Sequence, residues 1–500
     1  MWTAVKRLTL VVVGVLFQFG FVFAVWYFFD DFVIISVFYR ILAILLILSI
    51  IKNSTRLSND LPWIIMIMLL PLFGTFLRVT LGRNYSRNKL LKSILATEQK
   101  YQKYLVQDPT IEQTINKNHL DNLRYFTHRA HFPVTANNQI TYYEFGEKFY
   151  PALLKELKTA EHFIFLEYFI IKKGKMWDGV LEILKEKAAS GVDVRVMYDD
   201  MGTINKLSER FPKELAKYGI KCIPFNEMTP FRGIFMNNRD HRKMTIIDGR
   251  VAFSGGVNLS DEYINEVSLF GVWKDNGIKI VGDAVWNMTV MFLALWNANV
   301  QEDKDITKFK YDFGSSIAPE GYAVSYGAAP RHPDLVGEDV YLNLINSAKD
   351  YLYIMTPYLV IDTDVVNSLI RAAKRGVDVR IIMPGVPDKK LTNLLSRSFY
   401  DTLVRGGVKL YLYTPGFVHS KVFFADGRAG VVGTINLDYR SLYLHFENGI
   451  YIEQMRVLKS IKRDFEETFT VCHQLSLKEV TPNLFEQFWQ GVLRLFAPLF

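Results

Sequence analysis

Cysteine and histidine are both scarce in this chain of 500 residues, and their scarcity excludes several classes of protein. Two cysteines, Cys222 and Cys472, cannot form a dense disulfide framework, and they are compatible with a reducing compartment. The nine histidines include no HxxxH pair and the cysteines form no CxxC pair, so the common zinc motifs are absent. We therefore expect a protein that uses neither a metal nor another cofactor.

Excess charge is also missing from most of the chain. The net charge is +8, and residues 1–100 alone contribute +7, because they hold 11 Lys and Arg against 4 Asp and Glu. The remaining residues are almost neutral, whereas an enzyme of nucleic acids needs a basic face on its catalytic body. We expect no nucleic-acid partner and instead an anionic membrane surface, with headgroups near the basic residues Arg83, Arg87, Lys89 and Lys92.

Long apolar runs occur only at the N-terminus, over residues 8–29, 32–51 and 61–81. Each reaches the roughly 20 residues that crossing a bilayer requires, and the first is too long for a cleaved signal peptide. Arg40 in the second run, and Pro62 and Pro71 in the third, leave open whether two or three runs span the membrane. We assign residues 1–82 to a membrane region and residues 83–130 to a basic linker.

One sparse motif occurs twice in the chain with identical HxKxxxxD spacing. Its residues are His241, Lys243, Asp248, His419, Lys421 and Asp426. A GxxN sequence begins seven residues after each aspartate. It ends at Asn258 in the first copy and at Asn436 in the second. Two matches at the same spacing predict a single active site built from two halves.

The residue types of this motif suit phosphoryl transfer. A phosphodiester is anionic, so cations must cancel its charge as phosphorus becomes five-coordinate. The two lysines supply that charge, and the two asparagines can donate neutral hydrogen bonds to the same oxygens. One histidine can form a covalent phosphoryl intermediate, and the other can protonate the leaving alkoxide.

The motif aspartates also admit a structural interpretation. Asp248 and Asp426 are each followed by Gly and Arg between apolar runs, which is typical of a tight hairpin turn. We count both among the catalytic motif residues but favour turn formation, with support of the lysines as a further role. For the His–Lys pairs, duplication favours catalysis over the structural role of an ordinary lone histidine.

The repeat extends well beyond the motif. AASGVDVRV at 188–196 matches AAKRGVDVRI at 372–381, and the copies lie 185 residues apart at Gly191 and Gly376. Each copy contains apolar strands that alternate with amphipathic helices and ends in the motif hairpin. We predict an α/β protein with domains at 131–305 and 320–480, packed about a pseudo-two-fold axis that brings the two histidines together.

The paired motifs resemble those of the phospholipase D superfamily and, within it, the bacterial cardiolipin synthases, over about residues 130–480. Supporting sequences are NRDHRKM at 238–244, GGVNLSDEY at 255–263, WKD at 273–275, VGTINLDYRS at 432–441, LPLFG at 70–74 and GRN at 82–84. The resemblance implies two tandem phospholipase D-like α/β sandwich domains after N-terminal transmembrane helices, in a multi-pass protein of the cell membrane with a cytoplasmic catalytic body. It also implies that an acid downstream of each motif orients that motif's histidine, Asp275 for His241 and Glu447 for His419.

The same resemblance implies a phosphatidyltransferase. Phosphatidylglycerol would be both donor and acceptor, giving cardiolipin and glycerol through a phosphohistidine at His241, with His419 as acid and base. A related phosphatidyltransferase, or a phospholipase D that hydrolyses membrane lipids, would use the same residues and stays open. A nucleic-acid phosphodiesterase is disfavoured by the neutral catalytic body, and an inactive scaffold is disfavoured by the two intact motifs.

Residues 481–500 predict an amphipathic helix. Its apolar residues at helical spacing are Leu484, Phe485, Phe488, Trp489, Val492, Leu493 and Phe496. This stripe fits a helix packed on the catalytic body. Its phenylalanine and tryptophan content fits an interfacial membrane helix equally well.

Overall fold

A computed structural model gives the fold of the chain. It describes residues 33–54, 57–71, 89–118, 120–227, 238–314, 316–330 and 334–495, with the single positions 20, 23, 27, 74, 75, 78, 332 and 497. Nearly all of the apolar run 8–29 lies outside the described residues, as do Arg83, Arg87 and the GRN sequence at 82–84.

Two helices precede the catalytic body, α1 (Val33–Asn53) and α2 (Leu57–Leu69). They pack on each other through a small apolar cluster of Ala43, Ile50, Ile64 and Ile67. Within the described part of the chain, no helix combines the length and the apolar character needed to cross a bilayer. The transmembrane helices therefore stay a prediction.

The segment expected to be a basic linker contains three helices, α3 (Lys89–Tyr101), α4 (Pro109–Lys117) and α5 (Asp121–Tyr125). Asp108 begins α4, because its carboxylate accepts a hydrogen bond from the backbone N–H of Thr110 at 2.7 Å. Helix α5 continues into a π-type turn over Phe126–Ala130.

The first half of the catalytic body is a seven-stranded mixed sheet. Strands of this half are β1 (Asn138–Tyr143), β2 (Phe163–Tyr168), β3 (Asp193–Asp199), β4 (Lys221–Phe225), β5 (Lys243–Ile247), β6 (Val251–Gly255), β7 (Val272–Lys274) and β8 (Gly277–Gly282). The sheet order is β1–β8–β6–β5–β2–β3–β4, with β2, β3 and β4 parallel. The helices of this half are α6 (Gly146–Leu157), α7 (Lys175–Ala189), α8 (Phe211–Ala216) and α9 (Ala284–Val300).

The second half contains an eight-stranded sheet. The strands of this half, of which β11, β14 and β17 lie outside that sheet, are β9 (Tyr322–Ala328), β10 (Tyr351–Met355), β11 (Leu359–Val360), β12 (Asp378–Pro384), β13 (Lys409–Tyr413), β14 (Gly416–Val418), β15 (Val422–Ala425), β16 (Ala429–Gly433), β17 (Leu437–Asp438), β18 (Glu447–Glu453) and β19 (Cys472–Gln474). The helices are α10 (Val336–Ser347), α11 (Thr363–Lys374), α12 (Lys390–Arg397), α13 (Tyr400–Arg405), α14 (Tyr439–Tyr443), α15 (Leu458–Thr470), α16 (Leu477–Val480) and α17 (Leu484–Leu495).

The two sheets repeat one topology. The second sheet runs β9–β18–β16–β15–β10–β12–β13–β19, so its first seven strands correspond one to one with those of the first sheet. In both, three parallel strands adjoin an antiparallel motif hairpin, β5–β6 or β15–β16. The predicted α/β repeat is confirmed at this level.

The two halves share one apolar core. Phe165, Met244 and Phe292 of the first half lie in the same buried cluster as Val422 and Phe424 of the second. Helix α9 is buried almost throughout and contacts both β8 and β9. The motif strands β5 and β15 are completely buried, so the motif side chains are held by a rigid support.

Candidate active site

Backbone hydrogen bonds cross between the halves at both motif histidines. The N–H of His241 donates to the carbonyl of Phe446 at 2.8 Å, and the N–H of His419 donates to the carbonyl of Lys274 at 2.8 Å. Strand β7 also pairs in parallel with β14, placing Lys274 opposite Val418. The residue after each of these carbonyls is an acid, which is thereby carried to the histidine of the opposite half.

Each histidine therefore pairs with the acid of the other repeat. His241 Nδ1 lies 2.9 Å from both carboxylate oxygens of Glu447, and His419 Nδ1 lies 2.6 Å from Oδ2 of Asp275. The histidines are 7% exposed and both acids are fully buried. The prediction that Asp275 orients His241 and Glu447 orients His419 is wrong. The pairing of β7 with β14 places Asp275 beside His419, and the hydrogen bond from His241 to Phe446 places Glu447 beside His241.

This pairing fixes the chemistry of the imidazoles. When Nδ1–H donates to a carboxylate, Nε2 carries the free lone pair and can act as a nucleophile or a base. Burial lowers the pKa of His241 well below its usual range, although the charge of Glu447 opposes this. Burial, together with the ammonium group of Lys421, lowers the pKa of His419 to about 4. Both rings are neutral near pH 7 in the free protein.

The acids are supported differently in the two halves. Glu447 accepts a hydrogen bond from the hydroxyl of Thr434, whereas Asp275 accepts one from the backbone N–H of Asn276 at 2.9 Å. The position that matches Thr434 in the first GxxN sequence is Gly256. A Cβ atom at Gly256 would lie 1.9 Å from Asp275 Oδ1, so the glycine makes room for the carboxylate.

The motif lysines are buried beside the histidines. Lys243 Nζ donates to the carbonyl of His241 at 2.6 Å, and Lys421 Nζ donates to the carbonyl of His419. Burial lowers the pKa of Lys243 to about 8 and that of Lys421 to about 7, against the opposing charges of nearby carboxylates. The two ammonium groups can bind a phosphate that lies between the rings.

The two asparagines lie in different environments. Asn258 is engaged at both ends, because its Oδ1 accepts from the N–H of Ile170 at 3.0 Å and its Nδ2 donates to the hydroxyl of Tyr263 at 2.7 Å. The Tyr263 ring in turn packs against the His419 ring, with 5.4 Å between the two ring centres. Asn436 is 5% exposed, and its Oδ1 has no hydrogen-bond partner among the described residues. Direct contact of either asparagine with phosphate stays a prediction.

The structure does not bring the motif aspartates to the histidines. Asp248 and Asp426 lie in the hairpin turns, with φ of 52° and 54°, at the far ends of β5 and β15. The Asp248 carboxylate accepts the backbone N–H groups of residues 161–163, each at 2.8 Å, and Asp426 accepts those of residues 349–351. These contacts match the turn-forming role that the sequence favoured, and they do not include the motif lysines.

Two aromatic rings of the site were missed by sequence analysis. His445 contacts His241 at a ring distance of 5.6 Å, and Trp273 contacts His419 at 5.5 Å. Each lies two residues before an acid, so alignment of WKD at 273–275 with HFE at 445–447 would have marked both positions. His445 is 9% exposed; its Nδ1 lies 3.6 Å from Oε1 of Glu447, which is beyond hydrogen-bond distance.

His241, His445 and Glu447 place metal-ligand atoms within 4.8 Å of one another. The donor set alone could hold a divalent cation. However, His241 and Glu447 are hydrogen-bonded to each other. The ammonium group of Lys243 is also near, since the charge of Glu447 acts on the pKa of Lys243. The surroundings suit an anion better than a cation.

The chain is similar to known proteins in both sequence and fold. Residues 153–272 and 341–469 match the family described as cardiolipin synthase, PLD-like domain. A cardiolipin synthase of Geobacillus is 33% identical over 89% of this chain and 90% of its own length, and an uncharacterized protein of Streptococcus mutans is 40% identical over 91% and 99%. The crystal structure of phosphatidylserine synthase from Haemophilus influenzae, at 15% identity, covers 76% of this chain and 97% of its own with a TM-score of 0.57.

The repeated α/β sheets and the paired motifs define a phospholipase D-like enzyme. Because the Geobacillus relative is similar over nearly its whole length, the family is also established. The chain belongs to the cardiolipin synthase family.

Proposed function

We propose that this protein is a cardiolipin synthase that transfers a phosphatidyl group from one phosphatidylglycerol to another, giving cardiolipin and glycerol. One observation supports this chemistry most directly. Each of two buried histidines is hydrogen-bonded through Nδ1 to an acid of the opposite half, and each lies beside a buried lysine. The relatives named cardiolipin synthase support the choice of acceptor.

The first step forms a covalent intermediate. Nε2 of His241 attacks phosphorus, and the bond from phosphorus to the glycerol oxygen breaks. His419 gives its proton to that oxygen, so neutral glycerol leaves while the phosphatidyl group stays on His241. His419 is neutral in the free protein, so we expect the bound phosphodiester anion to raise the pKa of His419, which then takes up the required proton from solvent.

The second step reverses the proton transfer. Nε2 of His419, now neutral, removes a proton from the glycerol hydroxyl of a second phosphatidylglycerol, whose oxygen attacks phosphorus. The bond to His241 breaks and cardiolipin leaves. Lys243 and Lys421 offset the phosphoryl charge in both steps, while Glu447 and Asp275 orient the rings through their hydrogen bonds to Nδ1.

Hydrolysis is the main alternative outcome at the same site. If water replaced the second lipid, the product would be phosphatidic acid and the enzyme would be a phospholipase D. The intermediate is common to both reactions, so only the identity of the acceptor separates them.

We propose further that the apolar N-terminal runs hold the protein at the cell membrane, with the catalytic body on the cytoplasmic side. The catalytic domains would extend over residues 131–305 and 320–480 about a pseudo-two-fold axis. The repeated sheet topology and the apolar runs support these assignments.

The test uses purified full-length protein in mixed micelles of labelled phosphatidylglycerol with a chelator present. We expect cardiolipin and an equal amount of free glycerol, both lost in His241→Ala and His419→Ala. Trapping of the labelled phosphatidyl group on the protein, by a quench in neutral denaturant that preserves the acid-labile P–N bond, should fail in His241→Ala. Phosphatidic acid as the main product would assign hydrolysis instead, and an adduct in His241→Ala but not in His419→Ala would reverse the two histidine roles.

A further inference from the structure

In the part of the chain that the structure describes, the C-terminal helix α17 contacts the catalytic body through one side. Leu493 packs against the core of the second half. Arg494 donates to the hydroxyl oxygen of Ser398 at 3.1 Å, and its guanidinium lies 4.5 Å from the Phe399 ring centre. The packed-helix interpretation of the sequence therefore accounts for this side of α17.

The other side of α17 is exposed to an unusual degree. Its large apolar residues are Leu484, Phe485, Phe488 and Trp489, with exposed fractions of 84%, 72%, 63% and 47%. The neighbouring helix α12 contacts α17 and adds Leu391 and Leu394, exposed by 61% and 42%. We call these six side chains the docking face. Contiguous apolar surface of this kind marks a site of interaction with a protein or a membrane.

The docking face begins beside the active site. Just before α12, the carboxylate of Asp388 accepts a hydrogen bond from the hydroxyl of Tyr358 at 2.6 Å, and Lys389 Nζ lies 4.8 Å from the centre of the Tyr358 ring. Burial raises the pKa values of Tyr358 and Tyr263, and the Asp388 carboxylate raises both further, so the two tyrosines lie near the same group; the Tyr263 ring in turn contacts His419. A short path of adjoining side chains thus joins the docking face to the reacting histidine.

Lysines lie along this path. Burial lowers the pKa of Lys206, and the ammonium groups of Lys172 and Lys389 lower it further, which places the three cations near one another. The carboxylates of this region are already engaged, Glu262 with Ser260 and with Lys172 at 3.6 Å, and Asp388 with Tyr358. Exposed aromatic and leucine side chains next to lysines are complementary to an anionic lipid surface.

We infer that the docking face rests on an anionic bilayer and holds the side of the active site at Tyr358 and Tyr263 against it. The aromatic and leucine side chains enter the boundary between headgroups and acyl chains, and the lysines contact lipid phosphates. A lipid then reaches the histidines without exposing its acyl chains to water. The free-energy cost of such exposure rises with every methylene group. This inference rests on the proposed function, because it supplies the surface from which that site takes its lipid.

The experiment compares two presentations of the same headgroup to full-length protein reconstituted in bilayers. One substrate is long-chain phosphatidylglycerol within those bilayers, and the other is dihexanoyl phosphatidylglycerol, supplied as single molecules in solution. The docking variant is Phe485→Ser with Phe488→Ser. The matched control is Val106→Ser with Val300→Ser, two apolar residues that are 75% and 43% exposed and lie outside α12 and α17.

We expect the docking variant to lose about tenfold or more of the bilayer activity while its activity on the soluble substrate changes less than about twofold. The control should keep both activities. Equal loss on both substrates would show a role in folding and overturn the inference, as would no loss on either. A wild-type dimer that the docking variant converts to a monomer, with equal loss on both substrates, would make the face an interface between copies of the chain.

A second measurement does not depend on turnover. Amide hydrogen exchange over residues 484–495 should slow when vesicles of phosphatidylglycerol are added to the wild type, and it should not slow in the docking variant. If the wild type converts neither substrate, the proposed function fails while this measurement still tests docking. Unchanged exchange in the wild type would overturn the docking face.

Discussion

Lys243 and Lys421 are the residues through which pH should act most directly on this site. Both ammonium groups are buried, and each donates to the carbonyl of its own motif histidine. Burial makes the charged form costly, so the pKa values fall to about 8 for Lys243 and about 7 for Lys421. A bound phosphodiester favours the charged form, so lipid binding and lysine protonation promote each other.

The Michaelis constant for phosphatidylglycerol should therefore rise as the pH increases from about 7 to 9, because the free protein loses cationic lysine above those pKa values. Each pH unit above a lysine's pKa lowers its ammonium fraction by roughly tenfold. Lys421→Arg should flatten the rise, since a guanidinium stays charged, although its different shape should lower kcat. Initial rates across this pH range measure both effects, and a constant KM in the wild type would contradict the expectation.

The crossed histidine–acid pairs give a second prediction at this scale. Glu447→Gln should remove the strongly deshielded Nδ1 proton of His241 from the proton NMR spectrum and leave that of His419, while Asp275→Asn should do the reverse. Each variant should lose about 10²- to 10⁴-fold in kcat, because its histidine loses the correct tautomer. Loss of the His419 signal in Glu447→Gln would instead support pairing within each repeat.

The catalytic residues could be predicted individually from the sequence, but the hydrogen-bond partner of each histidine could not. Spacing alone identified His241, Lys243, His419 and Lys421, since one motif appears twice. It could not reveal the crossing, which depends on hydrogen bonds between β7 and β14 and between His241 and Phe446, distant in sequence. His445 carried no motif of its own, and only its position two residues before an acid relates it to Trp273.

At the scale of secondary structure, the hairpins β5–β6 and β15–β16 hold the motif residues at one end and their aspartates at the other. The Asp-Gly pairs have positive φ at both positions, 52° and 63° in the first hairpin and 54° and 65° in the second. This is the backbone of a two-residue turn, and it explains why the turn could be predicted from sequence. The three backbone hydrogen bonds to each aspartate tie the hairpin to the preceding parallel strand.

Asp248→Asn and Asp426→Asn should accordingly affect stability more than catalysis. We expect each to lower the free energy of unfolding by about 1–3 kcal/mol, because a set of three charge-assisted hydrogen bonds to backbone N–H groups is weakened. The kcat of the folded fraction should stay within about threefold, since neither carboxylate lies at the histidines. Thermal melts and rates measured well below the melting temperature separate the two effects; a large fall in kcat without destabilisation would restore the catalytic interpretation.

At the scale of the whole molecule, the halves are joined by a common core, by the β7–β14 ladder and by the exchanged acids. The sequence predicted two α/β copies because apolar strands and amphipathic helices recur at matched spacing. It could not predict the α3–α5 segment as helical support, because that segment has no counterpart in the repeat. Likewise, the sequence predicted the apolar stripe of α17 but not which of its residues pack on the catalytic body and which are exposed.

Since one chain contains the complete site, mixing His241→Ala protein with His419→Ala protein should restore no activity. Each chain still lacks one of the two reacting imidazoles, and the shared core prevents the halves from separating. Rates of the mixture at increasing protein concentration provide the measurement, with Val106→Ser protein as the active control. Activity that grows with concentration would reveal exchange of halves between chains.

The exchange of acids also constrains how such a protein could have arisen. A single copy of the repeat holds a histidine and an acid that cannot reach each other, because each acid lies under the other copy's imidazole. A one-repeat ancestor could have been active only as a pair of identical subunits, each completing its neighbour. Two copies joined in one chain are free to differ at matching positions, as Gly256 beside Asp275 differs from Thr434 beside Glu447, while each copy still needs the acid of the other.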